Sequence, residues 1–214
     1  MKNDKYIPAL SFDFLSAYYD QVIKKVMPEG FRDMLIQKAG ILPNETILDF
    51  GTGTAEAAIL IKKQIPTTTV TGLDVDQKIL NIAERKIKNK NLHIQLVAYN
   101  GNDFPFNDNC FDKVVSCLVL HHLSPDNKRK VFSEIFRVLK TGGKIYIADW
   151  GLERNKIKAK LLNYFKYFNV LKYIVEQGKG MLPQYILNAG FKNVIETGYL
   201  KTRTGTLCYY KAEK

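Results

Sequence analysis

Cysteine is scarce in this chain: 214 residues contain three, Cys110, Cys117 and Cys208. Their number is odd and their spacing fits no metal motif. That excludes a disulfide framework and a zinc cage, and leaves thiols expected to be reduced and mostly buried in a cytoplasmic protein. No uncharged apolar run approaches the roughly 18 residues that a bilayer span requires. The first residues, MKNDKYIPALSFDF, lack the apolar stretch of a secretory signal. Internal repeats and low-complexity linkers are absent, so the length favours one domain. Acidic residues are the minority, 21 against 32 basic, for a net charge of +11. A positive balance of this size admits nucleic acid or an anionic membrane surface as a partner. The lysines, however, are scattered over every predicted helix rather than gathered in one block, which is the pattern of a solvated surface.

What the chain does have is alternation. TILDF (46–50) predicts a strand, AEAAILIKKQI (55–65) a helix stopped near Pro66, and TVTGLD (69–74) a second strand. QKILNIAERKIKN (77–89) predicts a helix with Ile79, Leu80, Ile82, Ala83 and Ile87 on one stripe and Asp76 as its N-cap. LHIQLVA (92–98) and DKVVSCLVL (112–120) predict two more strands, the latter apolar enough for burial on both faces. DNKRKVFSEIFRVLK (126–140) predicts a helix closed by Gly142–Gly143, and KIYIAD (144–149) a fifth strand. Strands and helices in turn predict an α/β fold, a doubly wound parallel sheet with right-handed crossovers. Such sheets bind ligands beyond the carboxyl ends of their strands. Those ends are Asp49, Asp74, Tyr99–Gly101, Leu118–His122 and Asp149–Gly151.

The stretch ILDFGTGTA (47–55) joins the first strand to the first helix of this unit. Glycine at 51 and 53 permits a tight turn and close approach of backbone to a ligand, and the helix start offers free amides. One unit later Asp74 ends a strand, where a carboxylate suits the two hydroxyls of a ribose. Asp49 separates the cofactors that use this geometry. Immediately before the loop, its charge repels a pyrophosphate, which disfavours a nicotinamide dehydrogenase. The same charge attracts the ammonium of S-adenosylmethionine (SAM).

ILDFGTGTA, VTGLDVD, FPFNDNCFDKVVSCLVLHHL and EIFRVLKTGGKIYIADWG, in that order, resemble the class I SAM-dependent methyltransferases, in particular the branch of the ubiquinone/menaquinone-biosynthesis C-methyltransferases. The resemblance implies a Rossmann-like, seven-stranded, mostly parallel sheet whose last two strands, KNVIETGY and GTLCYYK, form an antiparallel edge. It implies SAM contacts at Asp49, Gly51, Thr52, Gly53, Thr54 and Leu118, ribose at Asp74, and adenine beside Val75. The pair Asn100–Gly101 stands where the family often has Asp-Ala. Asparagine can still accept from the adenine amino group, but without charge.

His121, His122 and Asp149 are the candidate bases, and Trp150 a candidate pocket wall. Tyr18 and Tyr19 are candidates for closure over the methionyl end. The expected organisation is a single domain: an N-terminal helical cover (1–42), a SAM-binding core (43–151), a helical insertion (152–182), and a C-terminal helix with antiparallel strands (183–214). Within the insertion, 156–177 has Leu161, Phe165, Phe168, Leu171 and Val175 at helical spacing among lysines, so packing on its own domain competes with lying on a membrane surface. The expected reaction is methyl transfer from SAM to a small molecule, with a lipophilic quinol as the example. RNA modification and non-catalytic SAM binding are the alternatives. No Asn-Pro-Pro-Tyr-like tetrad follows the fourth strand, which weighs against base methylation of the type that uses it.

Overall fold

The computed structural model describes residues 25–156, 159–160 and 178–214. The candidates Tyr18 and Tyr19 and nearly all of the proposed amphipathic helix 156–177 lie outside them. Seven strands form one sheet in the order β3-β2-β1-β4-β5-β7-β6. They are β1 (Thr46–Phe50), β2 (Thr69–Asp74), β3 (Gln95–Ala98), β4 (Phe111–Cys117), β5 (Leu139–Trp150), β6 (Lys192–Lys201) and β7 (Thr206–Glu213). Strands β1 to β5 pair in parallel, while β7 runs antiparallel to both β5 and β6. The antiparallel element is thus the buried β7, slotted between β5 and the half-exposed edge strand β6.

Helices cover both faces, as the alternating pattern requires. On one face, α1 (Phe31–Ala39), α2 (Glu56–Gln64) and α3 (Gln77–Asn89) pack over Ile47, Val70, Val115 and Tyr209. On the other, α4 (Pro125–Val138) and α5 (Leu182–Asn188) cover Leu48, Val114, Ile147 and Tyr210. Neighbours in β4, Val114 and Val115, enter opposite cores, so its apolar run is buried on both faces. Asp76 caps α3 as predicted, accepting from the Lys78 amide at 2.8 Å and the Ile79 amide at 3.4 Å.

Three predicted boundaries are corrected. β3 begins at Gln95, not Leu92, because the Leu92 amide closes the preceding turn on Ile87. β4 ends at Cys117, because Leu118 takes a left-handed φ of 60° and Leu120–His122 form a 3-10 turn. Gly142–Gly143 do not close α4, which ends at Val138. They form an irregularity within β5, where the register against β4 shifts between Phe111 and Lys113. The last carbonyls of α4 are taken from a distance: Arg137 O by the Asn109 amide at 3.0 Å, Val138 O by the Cys110 amide at 2.8 Å.

Candidate active site at the carboxyl edge of the sheet

The loop between β1 and α2 is drawn across the ends of β1 and β2. The Gly51 and Thr52 amides both donate to Leu73 O, at 2.8 and 3.1 Å. Gly51 has φ 68°, and a Cβ there would lie 2.4 Å from Val119 Cγ2. Glycine is therefore required twice over at position 51, by conformation and by space. Gly53, at φ 53°, faces open space: a Cβ there would meet only Ile79 Cδ1, at 3.8 Å.

Two acids hold this loop from either side. Asp74 Oδ2 accepts from the Gly53 amide at 2.8 Å, and Oδ1 from the Asp76 amide at 3.1 Å. Burial raises the Asp74 pKa, against the pull of these amides. Asp49 is 1% exposed and lies beneath the loop. Its Oδ2 accepts from Thr52 Oγ1 at 2.7 Å and from the Ala58 amide of α2 at 3.2 Å. Burial pushes its pKa up to about 6, although Thr52, Ala58 and the charge of Arg32 oppose the shift. Asp49 thus acts on the loop through Thr52 and by its field. Thr54 is buried at the start of the same helix.

The ends of β2 and β3 come together: a Cβ on Gly101, itself at φ 84°, would touch Val75 Cγ1 at 3.8 Å. The Asn100 side chain turns to the Asn102 amide, accepting at 3.0 Å. Leu118, buried at the end of β4, donates its amide to Ala148 O at 2.9 Å.

The candidate bases form one cluster beyond β4 and β5. Asp149 is fully buried and saturated. Its Oδ2 accepts from the Val119 and Leu120 amides at 3.1 and 2.7 Å, its Oδ1 from the Trp150 amide at 2.7 Å, and Oδ1 also lies 2.7 Å from His121 Nδ1. Burial alone would raise its pKa. The charge and hydrogen bond of His121, with the Trp150 amide and His122, outweigh that and hold it below the usual carboxylate range. With every lone pair engaged, Asp149 orients the turn and the imidazole rather than meeting a substrate. The saturated carboxylate makes Nδ1 of His121 the donor in this contact. The His122 ring stands 3.8 Å from that of His121, and burial, reinforced by His121, pushes its pKa down to about 3. The Trp150 ring meets His121 edge-on at 6.3 Å.

One further residue joins the site without a local signal. Arg32 of α1 brings a positive charge that lowers the pKa of both Asp49 and Cys117. Cys117 itself is pushed up to about 12, chiefly by burial, so it is no nucleophile. Val119 roofs Gly51. Arg32 is one of 32 basic residues in the sequence, and only the docking of α1 on the sheet selects it.

Residues 47–143 match the family model described as a methyltransferase domain. The chain is 32% identical over 209 residues to a demethylmenaquinone methyltransferase of Lactobacillus johnsonii, covering 87% of this chain and 85% of that protein. It is 31% identical over 161 residues to a ubiquinone/menaquinone biosynthesis C-methyltransferase of Desulfotalea psychrophila, covering 73% and 63%. Among solved structures, Haemonchus contortus phosphoethanolamine N-methyltransferase 2 in complex with SAM superposes with a TM-score of 0.76 at 16% identity, over 97% of this chain and 58% of that one, a likeness of fold. With the glycine loop, its two acids and the strand order established, the chain belongs to the class I SAM-dependent methyltransferases, in the branch of the ubiquinone/menaquinone-biosynthesis methyltransferases.

Proposed function

We propose that this enzyme transfers the methyl group of SAM to a ring carbon or hydroxyl of a small quinol-like acceptor held over the ends of β4 and β5. The observation that carries the cofactor half is the clamping of Gly51–Gly53 between two buried acids, with open space beside Gly53. A dinucleotide loop would leave those amides free for pyrophosphate. Here the Gly53 amide is already taken by Asp74, and the surplus charge is negative, which fits a cationic nucleoside with no phosphate.

In this reading Asp74 holds the ribose hydroxyls, Val75 and Gly101 flank the adenine, and Asn100 approaches its edge. Thr52, Thr54 and Leu118 line the floor. Asp49 contributes field to the cationic end, and Arg32 meets the methionyl carboxylate. Bound SAM supplies an electrophilic methyl on a sulfonium. The chain's own residues do the rest. The loop and the acids align donor with acceptor, an arrangement worth as much as about 7–11 kcal/mol in model reactions. His121 Nε2 takes the proton of the acceptor hydroxyl, while Asp149 stabilises the imidazolium that results. His122 stays neutral and shields the pair. Trp150 forms a wall.

The quinol draws its support from the curated relatives and from the aromatic and imidazole surfaces around the acceptor space. The single-domain organisation, with a cover before residue 43 and an insertion over 152–182, belongs to the same proposal. Titration calorimetry with SAM and with S-adenosylhomocysteine (SAH), followed by labelled-methyl transfer to demethylmenaquinol, tests both halves. Binding of neither nucleoside overturns the whole reading. Binding with transfer to another small molecule overturns the quinol alone.

A further inference from the structure

Just past β5, Glu153 carries a carboxylate that the fold only half uses. The residue is 9% exposed. Its Oε1 accepts from the Asn155 amide at 2.7 Å and from Thr206 Oγ1 at 3.2 Å. Its Oε2 is out of solvent and has no hydrogen-bond partner among the described residues. A buried carboxylate oxygen without a donor is costly, and native structures keep such groups where something else supplies the donor.

The surroundings say what that donor accompanies. Gly205 lies in the turn between β6 and β7. A Cβ built there would sit 3.6 Å from Glu153 Oε2 and 3.4 Å from Trp150 Cε3. The lone oxygen and the indole therefore both lie within van der Waals reach of the position that a side chain on residue 205 would take. The turn that carries Gly205 is firmly held. Thr202 Oγ1 accepts from the Gly205 amide at 3.0 Å and donates to Gly205 O at 2.8 Å, and the Thr202 amide donates to Gly205 O at 2.9 Å. Gly151 fits beneath only as glycine, since a Cβ would lie 2.4 Å from Cys208 Sγ and from Tyr210 Oη. Trp150 also meets the ring of His121, edge-on at 6.3 Å. A carboxylate, an indole and an imidazole thus lie along the edge where the start of β7 meets the carboxyl ends of β5 and β4.

We propose that Glu153 is an acceptor-positioning residue: Oε2 accepts a hydrogen bond from an O–H or N–H on a planar ring lying against Trp150. The inference rests on the methyltransferase reading and on the acceptor space beyond β4 and β5, but not on the acceptor being a quinol. A ring hydroxyl and a ring amine present the same chemistry to a carboxylate, charge-assisted and directional.

The test uses Glu153→Gln, which keeps one oxygen for Asn155 and Thr206 while placing an NH2 donor where the acceptor oxygen stood. Gly205→Ala is the second variant; it places one methyl at ordinary contact distance from the indole and the carboxylate. With SAH bound, affinities are measured for a naphthohydroquinol, its dimethyl ether and the matching naphthylamine. The wild type should bind one of the donor-bearing rings at least tenfold tighter than the ether. Glu153→Gln should collapse that preference to within about twofold, and Gly205→Ala should weaken every ring. SAH affinity and melting temperature should hold in both. A preference that survives Glu153→Gln overturns the positioning role and leaves the quinol reading standing. Glu153-dependent binding of the amine alone supports the role and overturns the quinol. Failure of the wild type to bind any of the three overturns both.

Discussion

Asp74 and Gly53 are 21 residues apart in sequence and joined at 2.8 Å, carboxylate to amide, so the acid ending β2 holds the loop that follows β1. The contact ties cofactor recognition to loop shape. Asp74→Ala removes both, and should weaken SAM binding by about 1–3 kcal/mol, a factor of roughly 5 to 150. Asp74→Asn can still accept from Gly53 through its amide oxygen and should lose less. Calorimetry on the two variants checks the order, and equal losses would mean that the loop contact is irrelevant.

Asp49 makes the pH dependence of binding and of stability run in opposite directions. Its folded pKa of about 6 lies above its unfolded value of 3.8. Between those values the folded state holds a proton that the unfolded state has released, so stability falls as pH rises through that window, by about 3 kcal/mol in all. Asp49→Asn, which retains an oxygen for Thr52 and Ala58, should be more stable than the wild type at pH 8. The advantage should shrink on acidification and vanish near pH 4. Denaturant unfolding across that range reads the trend. A cationic ligand favours ionised Asp49, so SAM affinity should increase as pH rises through about 6, and increase more than that of SAH, which lacks the sulfonium.

Asp149 contributes in the opposite sense. Its folded pKa is depressed, so its stabilisation is present above the unfolded pKa of about 4 and is lost as pH falls through the lower, folded one. Asp149→Ala leaves the Val119, Leu120 and Trp150 amides and His121 without their acceptor. It should cost about 3 kcal/mol or more, read as a lower urea midpoint. His121→Ala leaves those amide contacts in place. As the base, His121 should cost kcat far more than stability when replaced by Ala. His122, already neutral above about pH 3, should cost little kcat when replaced by Ala.

The parts of this site that were legible in the sequence are the ones built from neighbours. ILDFGTGTA carries the strand, the turn and the helix start within nine residues, and Asp74 is fixed by the end of the next apolar run. Asp76 could be read as a cap because capping spans only three residues. What could not be read depends on contacts across the sheet. The engagement of Asp149 involves a turn about 30 positions away, so a strand-end acid looked as much a base as an anchor. Gly142–Gly143 had the pattern of a helix stop, but Asn109 and Cys110 close that helix from the preceding loop. Arg32 and Glu153 carry no motif at all; the docking of α1 and the β6–β7 turn give them their place.

The contact of Gly51 with Val119 allows the two demands on that glycine to be separated. Gly51→Ala meets a steric clash with both Val119 methyls, at 2.4 and 2.5 Å, and a left-handed φ of 68°. The conformational part costs about 1 kcal/mol for a non-glycine residue, and forcing side chains apart in a packed layer adds about 1–3 kcal/mol. Val119→Ala removes the methyls from the clash while keeping the Val119 amide on Asp149. The double variant should therefore recover the steric share and retain the conformational one, so that the two substitutions are less than additive by about 1–2 kcal/mol. Urea unfolding of the four proteins in the cycle measures the coupling. Strict additivity would show that the loop relaxes away from β4 and that Val119 does not roof it in solution.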